Sequence, residues 1–183
     1  MLYHASHISG LKELKPQVST HGKPYVYAIR SKLMAILFGT PKDDFDLLID
    51  AEDGKAVLYE CYPDAIKQVY SGKSCSLYTV EETDFQRKMT GWDEELVCSS
   101  TAKVVLEENI PDIYMEIMEA TGEEICEIHS YERSEAYLSF LRDELQERVD
   151  AFGITEEYRK QDPRFVQYHN AVLAWQLGNI EQE

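Results

Sequence analysis

Up to about Ile110 the apolar residues come in short β-branched and aromatic runs separated by turn formers, and beyond it they recur at steps of three and four. The first pattern suits strands and the second suits helices with one apolar stripe. Residues 25–29 (YVYAI) follow the breakers Gly22 and Pro24 and predict a strand. Ser31 then stands where a helix N-cap belongs, ahead of Leu33, Met34, Ile36, Leu37 and Phe38, and Gly39 ends that short helix. Residues 47–52 and 55–62 flank Asp53-Gly54, a dipeptide that tolerates the positive φ values of a type I′ hairpin turn. Further strands are predicted over 74–80, 95–99 and 103–107, rich in Val, Leu and Tyr.

The helical part opens at Pro111, whose missing N–H suits the first turn of a helix, and Ile113, Ile117 and Met118 form one face before Gly122. A longer helix is predicted over 130–152, where Tyr137, Leu138, Leu141, Leu145, Val149 and Phe152 keep the spacing and Gly153 supplies the stop. A last helix starts at Asp162-Pro163 and carries Phe165, Tyr168, Val172 and Trp175 on one side. The sequence holds no internal repeat. The expected architecture is thus α+β: a β-rich domain over residues 1–110 with one or two helices, and a helical extension over 111–183 packed on it.

Charge sharpens this division. The 183 residues carry 34 acidic and 18 basic side chains, a net charge of −16. Residues 111–183 hold 17 of the acids against 6 bases, so the helical part is the more acidic. With no basic patch, a polyanion is repelled and nucleic acid is not an expected partner. The longest uncharged apolar run, 33–38, is six residues, against the ~18 of a membrane span. With no basic flank and long apolar stretch at the N-terminus, a cytoplasmic location is expected. Four separated cysteines (Cys61, Cys75, Cys98, Cys126) form no C-x-x-C pair and read as free thiols. His4 and His7, three apart on a strand, point to opposite faces, so no metal site is expected.

The order of features in the first part resembles a known family. Leu2-Tyr3-His4-Ala5-Ser6, a loop with Gly10-Leu11 and Leu14-Lys15-Pro16, and then KPYVYAI leading into a helix that contains Ala35 look like the ADP-ribosyltransferase-like superfamily. Ser71 to Tyr78 and Glu95 to Ser100 resemble strand segments of its small bacterial members and, more distantly, of the rifamycin-modifying enzymes. The likeness covers roughly the first 110 residues. It implies a split β-sheet domain that binds nicotinamide adenine dinucleotide (NAD) as substrate and transfers ADP-ribose to an unknown acceptor. By the same resemblance His4 and Tyr27 line the dinucleotide cleft and Glu95 is the catalytic acid.

The chemistry fits these residue types. An imidazole hydrogen-bonds a ribose hydroxyl, and a tyrosine ring offers a face to nicotinamide. A carboxylate stabilises the positive charge that develops as the glycosidic bond breaks. Arg30 and Lys32 stand where they would offset a diphosphate, although surface cations more often simply face solvent. The chain departs from the family in having Ala5, where glycine usually follows the histidine, and in lacking the Ser-Thr-Ser element of the arginine-modifying branch. Asp93, Glu94 and Glu95 compete for the acidic role. The alternative is a catalytically inactive module of the same fold, whose acidic helices bind a basic protein partner.

Overall fold

The computed structural model describes residues 1–18 and 22–176. The chain divides into two compact units, one made of residues 1–42, 51–56 and 69–127, the other of 43–50, 57–68 and 128–183. The division expected near Ile110 therefore falls later, at 127/128, and two early segments belong with the helices. α3 (Ile113–Gly122) stays with the first unit because it packs against α1 (Lys32–Leu37), burying Ile113 and Ile117 completely.

The first unit is built on an antiparallel sheet. Its strands are β1 (Leu2–Ser6), β2 (Glu13–Leu14), β3 (Gln17–Val18), β4 (Pro24–Ile29), β7 (Cys75–Val80), β8 (Gln86–Arg87), β9 (Glu95–Cys98) and β10 (Ala102–Ile110). They run in the order β2-β10-β7-β1-β4-β9-β8, with β3 paired to β4. β5 (Leu47–Glu52), β6 (Lys55–Glu60) and β11 (Cys126–His129) form a smaller sheet in the order β11-β6-β5. The Asp53-Gly54 turn between β5 and β6 has φ values of 50° and 82°, which few residues other than Asp, Asn and Gly accept. The fold is α+β, and among the described residues the strand pairs of the main sheet are antiparallel.

Strand parity decides which side chains meet. Residues directly opposite in an antiparallel pair project to the same face. Leu2, Val26, Ala28, Tyr78, Val80, Leu96 and Cys98 share one face, where Leu14 and Ala102 join them and Leu11, Phe85 and Val104 cover them. The other face carries Ile29, Leu77 and Val97, all nearly inaccessible, and α1 packs against β1, β4 and β7. α1 forms as its sequence predicts. Ser31 Oγ accepts from the Met34 amide at 3.3 Å, and all five residues from Leu33 to Leu37 are buried.

The second unit holds α4 (Glu135–Ala151), α5 (Glu156–Gln161), a π-helical turn (Phe165–His169) and α6 (Asn170–Leu173). Leu141 and Leu145 are fully buried, each contributing about 2 kcal/mol of burial. α4 starts later than the 130 that its periodicity suggests. Tyr131 N donates to Glu60 Oε2 at 3.2 Å, a contact outside any helix, and the cap is Ser134, whose Oγ accepts from Tyr137 N. Likewise Pro111 lies just before α3 rather than in its first turn, because the Asp112 carboxylate takes the cap by accepting from the Tyr114 and Met115 amides. The helix expected from 162 does begin there: Asp162 Oδ1 accepts from the Arg164 and Phe165 amides. α2 (Ala65–Tyr70), α5 and β11 are elements the hydrophobic pattern did not reveal.

Candidate functional site

β1 sits in the middle of the main sheet, between β7 and β4, but its two edges are not alike. Against β7 it is paired along its whole length, from Leu2↔Val80 to Ser6↔Ser76. Against β4 the register holds one pair, Tyr3↔Ile29. The sheet is loosely closed there. Across this parting His4 Nδ1 lies 2.8 Å from the backbone oxygen of Tyr27. A carbonyl oxygen only accepts, so Nδ1 carries the proton and Nε2 is left as an acceptor. Burial lowers the pKa of His4, more than the Tyr27 carbonyl raises it, which favours this neutral tautomer.

The side chains singled out in the sequence separate at this point. His4 lies opposite Tyr78 and projects with Leu2 and Ala28. Tyr27 lies opposite Val97 and shares the face of Tyr3, Ile29 and Glu95. The imidazole and the phenol ring thus leave the sheet on opposite sides. The two side chains expected to line one dinucleotide cleft therefore do not meet on one face, because adjacent strands offset by an odd number of residues send side chains apart. What joins them is the bond from imidazole to Tyr27 backbone. Tyr27 and Glu95, in contrast, are same-face diagonal neighbours, an arrangement that puts Cβ atoms about 7 Å apart. Glu95 begins β9, whereas Asp93 and Glu94 precede it. Tyr25 packs edge-on to Tyr27, with centroids 6.1 Å apart.

The two nearby cations are already matched. Arg30 is paired with Glu82, and Lys32 Nζ lies 2.8 Å from Glu108 Oε1, a bond that raises the ammonium's pKa. Lys32 also stands 5.5 Å from the centre of the Tyr3 ring. Neither is therefore free to offset a diphosphate without first leaving a carboxylate. No family model matches the chain, and no curated protein and no solved structure matches it. Functional weight falls on the geometry alone.

A second polar group on the His4 face escaped the sequence reading. Glu107 Oε1 accepts from Gly10 N and Ser76 Oγ, both at 2.8 Å, and from Tyr78 Oη at 3.1 Å, and these bonds lower its pKa. Tyr78 Oη lies 2.7 Å from the Ile8 carbonyl and accepts from Leu11 N. The group pins the loop after β1 over that face. Glu107 and Tyr78 face each other only through the β10/β7 register, which no local motif encodes. Among the described residues no cluster of His, Cys, Asp or Glu is arranged to hold a metal ion, and no helix is long and apolar enough to cross a membrane.

Proposed function

We propose that the first unit is an ADP-ribosyltransferase-like domain that binds NAD where β1 and β4 part. The observation that carries this reading is the anchored imidazole of His4 at the parting. Fixed through Nδ1, it presents a lone pair at Nε2 for a ribose hydroxyl, the role the resemblance assigns to it. Glu95 is the proposed acid, set near Tyr27 on the other face, where its carboxylate stabilises an oxocarbenium-like ribose as nicotinamide leaves. The acceptor of ADP-ribose is an unknown nucleophile or water.

A specific observation favours a second reading. Because the His4 and Tyr27 side chains point to opposite faces, recognition and transfer do not converge in one cavity. A catalytically inactive module is then expected, with the exposed acids Asp143, Glu147 and Asp150 of α4 facing a basic protein partner. Two measurements separate the readings. NAD raises the melting temperature of wild type but not of His4→Ala if the site binds it. Nicotinamide release falls by two to three orders of magnitude, roughly 3 to 4 kcal/mol in the barrier, in Glu95→Ala but not in Glu94→Ala if Glu95 acts. A thermal shift without nicotinamide release supports a binding domain that has lost catalysis. The absence of both defeats the NAD reading and leaves the interaction module.

A further inference from the structure

Outside this site the second unit buries a titratable group. His169 closes the π-helical turn and is completely inaccessible. Neither ring nitrogen makes a well-formed hydrogen bond among the described residues, although the Phe45 backbone stands close enough to favour the protonated ring. Three rings enclose it: Phe165 at 5.1 Å between centroids, Tyr62 at 6.0 Å and Phe45 at 6.3 Å. A buried imidazole normally holds at least one hydrogen bond, so this placement costs stability that the surrounding packing must offset.

The charges around it make protonation worse. Arg164, five positions earlier at the N-cap of the turn, directs its guanidinium to Asp46 (2.9 Å), Asp162 (2.8 Å) and Asp43 (3.1 Å). The hydroxyls of Tyr62 and Tyr158 donate to Asp46 and Asp162 respectively, and Tyr168 stacks on Tyr62 at 5.4 Å. The carboxylates that would neutralise an imidazolium are thus already committed to a guanidinium. Burial first and the Arg164 cation second push the pKa of His169 down to about 4; the Phe45 backbone, Asp162 and Asp46 pull only weakly the other way.

We propose that His169 is an acid-sensitive catch: an imidazolium has no place among these rings, so protonation expels the side chain and releases the π-helical turn and α6 from the second unit. The direction follows from linkage. The unfolded or released histidine takes a proton near its ordinary value of 6.5, and the buried one holds it roughly 300-fold less tightly. The stability conferred by the neutral ring is therefore complete above about pH 6.5 and drains away as the pH falls toward 4. π-Helical turns recur at functional sites, and this one carries both the catch and the arginine that sharpens it.

The test uses the full chain. Far-ultraviolet melting curves are recorded between pH 7.5 and 4.8 for wild type and His169→Phe, a change that fills the ring-lined space without a titrating group. The expected result is a melting temperature that drops steeply with acid in wild type and far less in the variant. In parallel, the imidazole carbon-bound proton of His169 is followed by NMR in wild type, which needs no folded variant. Loss of helical signal coincident with the His169 titration supports the catch. Parallel melting profiles in a folded variant overturn it, as does a His169 resonance that titrates near 6.5 while the helices remain intact.

Discussion

Arg164 bridges three carboxylates of the second unit, and Arg164→Met tests its weight. The substitution keeps much of the apolar stem but strips the cation from Asp43, Asp46 and Asp162. The Arg164 side chain is 22% exposed, while those of Asp46 and Asp162 are 10% exposed. Removing one partner of a buried pair costs ~3–5 kcal/mol. Both buried carboxylates keep other donors: Asp46 holds the Asp43 amide and the Tyr62 hydroxyl, and Asp162 holds two amides and the Tyr158 hydroxyl. The expected loss is thus at the lower end, about 3 kcal/mol at pH 7.

Part of that loss is visible as proton linkage. The Arg164 side chain is the first of the causes, with the Tyr158 hydroxyl and the Arg164 amide behind it, that together pull the pKa of Asp162 from 3.8 to about 2, a shift of about 2 kcal/mol in all. A depressed carboxylate stabilises the fold above its ordinary value and ceases to as the pH falls from 3.8 toward 2, so the deficit of the variant is fully developed at neutral pH. Urea unfolding followed by far-ultraviolet circular dichroism gives the difference directly, with an unchanged denaturant slope as the check that the same transition is seen. Arg164→Lys keeps the charge but not the forked geometry and falls between the two. A stability for Arg164→Met within 0.5 kcal/mol of wild type refutes the account, because it means that the three carboxylates need no cation.

Two further outcomes follow from close packing. Gly39→Ala places a Cβ 2.5 Å from Cys75 Sγ and 2.6 Å from its Cβ, so thermal melting records a loss of about 1–3 kcal/mol, which adding Cys75→Ala relieves only in part because alanine keeps the Cβ; an unchanged melting temperature in the single variant denies the close approach. All four cysteines are buried free thiols, and burial pushes Cys75 up to about 11, so at pH 8 a thiol reagent labels the native protein only as fast as it opens; an immediate burst of labelling contradicts this.

Elements with a local cause were legible in the sequence. The Ser31 cap, the Asp53-Gly54 turn and the Gly153 stop at a φ of 61° each depend on residues within one turn of one another, and each forms where its pattern places it. The same holds for the buried stripe Leu138, Leu141, Leu145 and Val149. The helix starts were less legible because caps compete with tertiary demands. Tyr131 is drawn to Glu60, 71 positions away, and this distant contact delays α4 to Glu135. The division between units was hidden for the same reason. The period changes near Ile110, but α3 has its partner in α1, which lies in the early part of the chain.

The candidate site shows where such reading reaches its limit. A residue type at a strand position is local information, and His4, Tyr27 and Glu95 all lie on strands as their patterns imply. Which side of the sheet each occupies depends on register between strands far apart in the chain, and a one-residue change of register turns every side chain over. Tyr3↔Ile29 and Ile29↔Glu95 put Glu95 with Tyr27, and the same pairs put His4 on the opposite face. Had Tyr3 stood opposite Ala28, the imidazole would share a face with Tyr27. The bond from His4 Nδ1 to the Tyr27 carbonyl is a consequence of this register too, since it spans strands that are otherwise joined there by one pair. The chemistry a sheet offers is thus decided twice, once by residue type and once by parity, and for His4 and Tyr27 the second decision separates what the first had put together.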